Sequence, residues 1–157
     1  RFQKKKKYIV PNVVEAWCNK HFQKYQSGRD LLSNIVYKGK IIFLMKEVLS
    51  NDLEPEDKFR FSKSQLDWVK ANEKSVWSYF IANDLLYSNY ERDFRTFINY
   101  GPFSKGMPSE APARVGYFIG YRIIESYMRR NNIPIDELFY ETDAKKILNK
   151  SKYKPLR

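Results

Sequence analysis

The strongest hydrophobic pattern in the chain is APARVGYFIGYRIIESYMRR, residues 111–130. Its apolar side chains recur at intervals of three and four residues, which indicates a helix that is buried on most sides. The pattern predicts a start at Pro112, because a proline at the first helical position loses no hydrogen bond. Gly116 and Gly120 lie one turn apart, and each costs about 1 kcal/mol of helix propensity relative to alanine. We therefore expect another helix or a partner backbone to approach closely along these glycines.

Arg114 and Arg122 lie on the mostly apolar part of this segment, ahead of the arginine pair at its end. Arg122 precedes Glu125 by three residues, so these two side chains can pair along one helix face. Arg114 also needs a partner if it is buried, because removing its charge from water is costly. We predict that Arg114 meets a carboxylate or several backbone carbonyls and so fixes the position of the helix.

Shorter periodic segments predict further helices over residues 12–25, 30–49, 62–86, 91–98, 134–140 and 142–150. Their predicted N-caps are Asn12, Asp30, Ser62 and Thr142. Glu15 and Gln65 stand where they would complete capping boxes. A break at Asn72 is expected within the 62–86 segment, and a kink at Gly39 within the 30–49 segment. Residues 50–60 are predicted to form an acidic, solvated loop.

No segment alternates between apolar and polar residues with a period of two, and no internal repeat is visible. The predicted fold is therefore mainly α, a compact multi-helix domain. We place the single helical domain at residues 11–150, between a basic lead segment at 1–10 and a basic tail at 151–157. The chain begins with Arg1 rather than Met, which suggests a processed chain or an excised piece.

The formal net charge of +11 comes from the two ends of the chain. Residues 1–7 carry +5 and residues 145–157 carry +6 without any acid, while residues 8–144 balance 18 basic with 18 acidic side chains. A nucleic-acid-binding domain usually carries its basic residues on a structured face, so this distribution argues against nucleic acid as a partner. Basic ends instead fit a solvated terminus, a membrane surface or an acidic partner.

Candidate catalytic and metal-binding residues are few. Cys18 and His21 are three residues apart, but zinc needs three or four protein ligands and the chain has no other His or Cys. We interpret this pair as a buried thiol and a partly buried imidazole, and predict no metal and no cofactor. The aromatic residues at helical spacing are expected to belong to the core, and they are Trp68, Trp77, Tyr79 and Phe80.

An ordered set of short motifs resembles the gliding-motility lipoprotein GldB family of Bacteroidota. The motifs are IVYKGK at 35–40, QLDW at 65–68, NE at 72–73 ahead of VW at 76–77, DLLYS at 84–88, GPFS at 101–104, PARVG at 112–116 with Gly120, SYM at 126–128 and NKSKYKP at 149–155. The family usually has Gly at the position of Ala113 and often Trp at that of Tyr121. The chain resembles roughly the C-terminal half of such a protein.

The resemblance implies a periplasm-facing protein of the cell envelope that is tethered to the membrane by a lipidated N-terminal cysteine, which this segment lacks. It also implies a distant similarity to HExxH zinc peptidases, so the fold would be the C-terminal helical part of a degenerate zincin-like fold. Glu15 lies where H-E-x-x-H would be sought, and Lys38 stands where such enzymes place a glutamate. A lysine there would repel a metal, so the metal site would be lost.

The sequence thus predicts a non-catalytic envelope protein that acts through contacts with other gliding-machinery proteins in motility and type IX secretion. Two alternatives stay open, a metal-dependent peptidase-like hydrolase with unusual ligands and a nucleic-acid-binding module that uses the basic tails. The sequence does not specify an oligomeric state. The residues predicted to serve structure or partner contact are Arg114, Gly116, Gly120, Trp77, Tyr87 and Phe103.

Overall fold

The computed structural model describes residues 6–26, 28–49 and 53–155. These residues form nine α-helices, and no β-strand occurs among them. We number the helices in chain order as α1 (Ile9–Phe22), α2 (Leu31–Val48), α3 (Pro55–Phe59), α4 (Lys63–Ala71), α5 (Glu73–Ala82), α6 (Glu91–Ile98), α7 (Val115–Asn131), α8 (Ile135–Tyr140) and α9 (Ala144–Ser151). Short 3-10 turns, Lys6–Tyr8 and Gln23–Tyr25, flank α1. The predicted mainly α fold is confirmed.

The two longest helices, α2 and α7, pack against each other through the centre of the molecule. Both are buried on most sides, as the density of apolar residues in their sequences predicts. The N-terminus of α2 is capped as expected, since the Asp30 carboxylate accepts a hydrogen bond from the Ser33 amide at 2.7 Å. The Leu32 amide donates to the Leu86 carbonyl at 2.9 Å, so a loop satisfies another of the free amides at this helix end.

The remaining helices cover this central pair. Helices α6 and α9 pack against both α2 and α7, while α1, α3 and α8 pack against α2 and α5 packs against α7. Ser62 and Gln65 form the predicted capping box at the start of α4. Asn72 separates α4 from α5 as predicted, and α6 occupies the predicted range. Of the aromatic residues assigned to the core, Phe80 is fully buried, and Trp68, Trp77 and Tyr79 are partly buried and pack against the core.

Three predicted helix starts are wrong. Helix α1 begins at Ile9, and Asn12 lies inside it and accepts a hydrogen bond from Arg60 instead of capping the helix. Helix α7 begins at Val115, because Arg114 adopts a left-handed backbone conformation (φ 69°) that separates Pro112 from the helix. The last helix is capped by Asp143, whose carboxylate accepts from the Lys146 amide, rather than by Thr142.

Two loop predictions also need correction. The helical hydrogen bonding of α2 continues through Gly39 without interruption. The acidic segment at 50–60 contains α3, which Pro55 begins, and residues 50–52 lie outside the described residues. Asp57 is buried rather than solvated, because it pairs with Lys7 and accepts a hydrogen bond from the Tyr8 hydroxyl.

Candidate functional site

The glycines of α7 face the backbone of α2. A Cβ atom added at Gly120 would lie closer than 3.0 Å to the Ile35 carbonyl, and one added at Gly39 would meet the Gly120 carbonyl just as closely. Gly116 faces Ile35 and the carbonyl of Phe97 on α6. The close approach expected along α7 is therefore present within the chain, between α2 and α7.

We refer to the close contact formed by Gly39, Gly116 and Gly120 as the glycine seam. Arg114 lies two residues before Gly116. Its left-handed backbone turns the chain into α7, and its amide donates to the Thr96 carbonyl at 3.0 Å. Its guanidinium carbon lies 4.1 Å from the ring centre of Tyr100 and 4.3 Å from that of Tyr117. The residue is only 5% exposed, and Nε and Nη1 have no hydrogen-bond acceptor among the described residues. The predicted carboxylate or carbonyl partner of Arg114 is therefore wrong, because two aromatic faces take that place.

A compact group of charges lies beside Arg114. Glu15 on α1 accepts from Lys38 on α2 at 2.7 Å and from Arg60, after α3, at 2.9 Å. Burial opposes ionisation of Glu15, but the two cations outweigh it and hold its pKa below the ordinary value. Arg60 also donates to the Tyr100 hydroxyl at 3.1 Å. We refer to Glu15, Lys38, Arg60, Arg114, Tyr100 and Tyr117 as the cationic layer, in which Glu15 pairs with two of the three cations and Arg114 contacts the two tyrosines.

A second polar network borders a cleft of about 370 Å³ between α2, α4 and α7. Arg122 pairs with Glu125 on its own helix, as its spacing predicts, and with Glu73 of α5 at 3.0 Å. The Tyr153 hydroxyl also donates to Glu73, at 2.8 Å, so the segment after α9 is tied to the body. Burial and the neighbouring carboxylate raise the pKa of Tyr153 above its ordinary value. Each strongly polar group in this network has a partner, which is typical of a structural network.

The Cys18 and His21 pair carries no catalytic geometry. Cys18 is fully buried, and burial raises the pKa of its thiol to about 11, so the thiolate that nucleophilic chemistry needs is disfavoured. His21 is exposed rather than partly buried, and its ring lies 4.8 Å from that of Trp17. Within residues 6–26, 28–49 and 53–155, no three His, Cys, Asp or Glu side chains come together in a group that could hold a metal.

The other predicted contact residues lie apart from Arg114. Trp77 is partly buried and packs edge-on against Tyr153, with 5.1 Å between ring centres. Tyr87 is half exposed beneath the Lys145 ammonium, and Phe103 is half exposed in the loop before α7. None of these three residues lines the separate cleft that Arg60, Tyr100 and Arg114 border. The structure thus groups Arg114, Gly116 and Gly120 along α7 and leaves the three aromatic residues separate.

A scan of family models matched the chain to the gliding motility protein GldB over residues 1–155. The chain belongs to the gliding motility protein GldB family. Searches of curated proteins and of solved structures each returned no match. The family resemblance drawn from the motifs is confirmed, whereas the further similarity to HExxH zinc peptidases gains no support. In this GldB family chain Glu15, the glutamate of the sought motif, is held by Lys38 and Arg60.

The outer face of α1 is a second feature of this GldB family chain, and the sequence did not predict that this face is exposed. Ile9, Val10, Val13 and Trp17 are 50–61% exposed, although Val13 and Trp17 recur with Val14, His21 and Phe22 at the helical spacing that predicts a core-facing side. Helix α1 is apolar on both faces, with Pro11 and Cys18 turned inward, so periodicity could not decide which face meets the core. No helix among the described residues is both long and apolar enough to cross a bilayer.

Proposed function

We propose that this chain is a non-catalytic part of a cell-envelope protein that supports gliding motility and type IX secretion by binding other envelope proteins. The family match over residues 1–155 carries the proposal. The polar networks at Glu15 and Arg122 support it, because their carboxylates are held by cations and are not poised for acid or base chemistry.

The outer face of α1 is the surface best suited to such contacts. Its four exposed apolar side chains follow one another along the helix, and contiguous exposed apolar surface marks interaction sites. Lys20 shares this side of the helix, and Lys6 lies just before it. Glu15, the only acid of α1, points inward to Lys38 and Arg60. The face therefore fits a protein partner that offers an apolar patch with acidic side chains at its rim.

The test replaces this face within the intact lipoprotein. In a gliding bacterium that lacks its own copy, the double variant Val13→Ser with Trp17→Ser should fail to restore colony spreading. The control Ile81→Ser removes an apolar side chain of similar exposure (52%) from α5 and should restore it. Both variants should remain folded in thermal denaturation. Ile81→Ser should stay close to the wild type, and the α1 double variant should lose about 1–2 kcal/mol because Trp17 also packs against His21 and Phe22.

Capture from envelope fractions adds a second readout. A protein partner should be retained by the wild type and by Ile81→Ser and lost from the α1 double variant. Normal spreading by a folded, expressed double variant would contradict the proposal. The proposal would also be contradicted if the double variant lost binding to anionic lipid vesicles while it captured the same proteins as the wild type, because the face would then bind a membrane.

A further inference from the structure

A cleft of about 340 Å³ opens beside the cationic layer. Arg60, Arg114 and Tyr100 form one side of it, and Ser62 and Gln65 at the start of α4 form the other. Phe61, Gly101 and Ala113 complete its lining, which contains no acidic residue. The capping box already occupies the amides of Ser62 and Gln65, so the start of α4 contributes the positive end of its helix dipole to the cleft and not free amides from these two residues.

Arg114 lines this cleft, and two of its side-chain nitrogens find no hydrogen-bond acceptor among the described residues. The rings of Tyr100 and Tyr117 lie 4.1 and 4.3 Å from its guanidinium carbon, and an aromatic ring offers no oxygen acceptor to the N–H bonds, which lie in the plane of the group. Aromatic faces therefore compensate part of its charge and none of its in-plane donors. A buried donor without an acceptor costs free energy, and Nε and Nη1 are both in that state.

Within the described part of the chain, the carboxylates of Glu15 and Asp57 are not free to pair with Arg114. Glu15 is engaged by both Lys38 and Arg60, and Asp57 is engaged by Lys7 and Tyr8. Glu15 thus pairs with two of these three buried or half-buried cations and Arg114 with none of the described carboxylates, which leaves an excess of positive charge beside an open cleft. An anion bound where Arg114 lines the cleft would balance this charge, while Nε and Nη1 themselves lie beneath the surface.

We propose that this cleft binds a carboxylate carried by a polypeptide, either a C-terminus or an acidic side chain. A planar carboxylate matches the planar donor geometry of a guanidinium better than a spherical anion does. The apolar walls supplied by Phe61 and Ala113 favour the organic portion of such a ligand over a fully hydrated inorganic anion. This site is separate from the outer face of α1, so either proposal can fail without the other.

The experiment follows the Nε–H resonance of Arg114 by NMR in the whole chain. The ring currents of two tyrosines should set this signal apart from those of exposed arginines. N-acetylglycine is the probe, and N-acetylglycinamide, which replaces the carboxylate by an amide, is its matched control. We expect the acid to shift the resonance saturably with a dissociation constant of about 1–10 mM, as small ligands allow, and the amide to leave it in place.

Two variants separate binding from general charge effects. Arg114→Lys keeps the positive charge and removes the planar donors, so it should weaken N-acetylglycine binding by about tenfold or more, followed on amides near the cleft. Arg129→Lys changes an exposed arginine at the far end of α7 and should bind like the wild type. Methyl spectra of the isoleucines between α2 and α7 report whether each variant keeps its fold.

Three results would overturn the proposal. The first is the absence of a saturable shift with N-acetylglycine. The second is unchanged affinity in a folded Arg114→Lys variant. The third is tighter binding of inorganic phosphate than of N-acetylglycine, which would assign the cleft to phosphate ligands.

Discussion

Gly120→Ala tests whether the α2–α7 contact determines the stability of this fold. The added methyl group would lie closer than 3.0 Å to the Ile35 carbonyl, and both sides of this contact are backbone. Rotation of a side chain cannot relieve it, so the helices must separate. Overpacking of a core costs about 1–3 kcal/mol, and this rigid contact belongs at the upper end of that range. Alanine returns about 1 kcal/mol of helix propensity.

The net expectation is a loss of about 2 kcal/mol in the free energy of unfolding, or about 4–8 °C in melting temperature for a chain of this size. Urea denaturation followed by circular dichroism measures it. Gly101→Ala is the control, since its added methyl would meet Ala113 at an ordinary 3.6 Å, and it should stay within about 0.5 kcal/mol of the wild type. A Gly120→Ala variant as stable as that control would refute the backbone contact.

Three smaller predictions follow from individual side chains. Asp30→Ala removes the N-cap of α2 and should cost about 1 kcal/mol in denaturation experiments, whereas Asp67→Ala at an exposed position of α4 should be neutral. Cys18, the only cysteine, should react with a thiol reagent at the rate of unfolding and not faster, because it is fully buried and its pKa is raised to about 11. Burial lowers the pKa of Lys40 to about 8. Because the unfolded chain then binds more protons above this value, stability should rise with pH from about 8 to 9.5, and Lys40→Met should abolish the rise.

The sequence predicted best those features that depend on neighbouring residues. The Ser62–Gln65 capping box, the Asp30 cap and the bounds of α6 each rest on signals within a few positions, and all three are confirmed. The close approach along Gly116 and Gly120 could also be anticipated, because interior glycines are costly in a helix unless packing requires them. That Gly120 meets the backbone of α2, and Gly116 the Ile35 side chain and the Phe97 carbonyl, could not be anticipated.

The failures arise where distant segments decide the outcome. The start of α7 depends on the left-handed conformation of Arg114, which the Thr96 carbonyl and the flanking tyrosines hold in place. Pro112 is a local signal for a helix start, and it predicted that α7 begins before Val115. Likewise the outer face of α1 could not be distinguished from its inner face, because both are apolar and only the packing of Cys18 against α2 decides between them.

The seam and the cationic layer are physically linked. Arg114 precedes Gly116 by two residues, and Lys38 precedes Gly39 by one, so the glycines that bring α2 and α7 together also bring these two cations to the same tyrosine. The Tyr117 ring centre lies 4.3 Å from the Arg114 guanidinium and 5.8 Å from the Lys38 ammonium. Two cations placed beside one tyrosine add to the positive charge of the layer and increase the gain when an anion binds. Tight packing at the seam is therefore what gives the cleft beside Arg114 its attraction for a carboxylate.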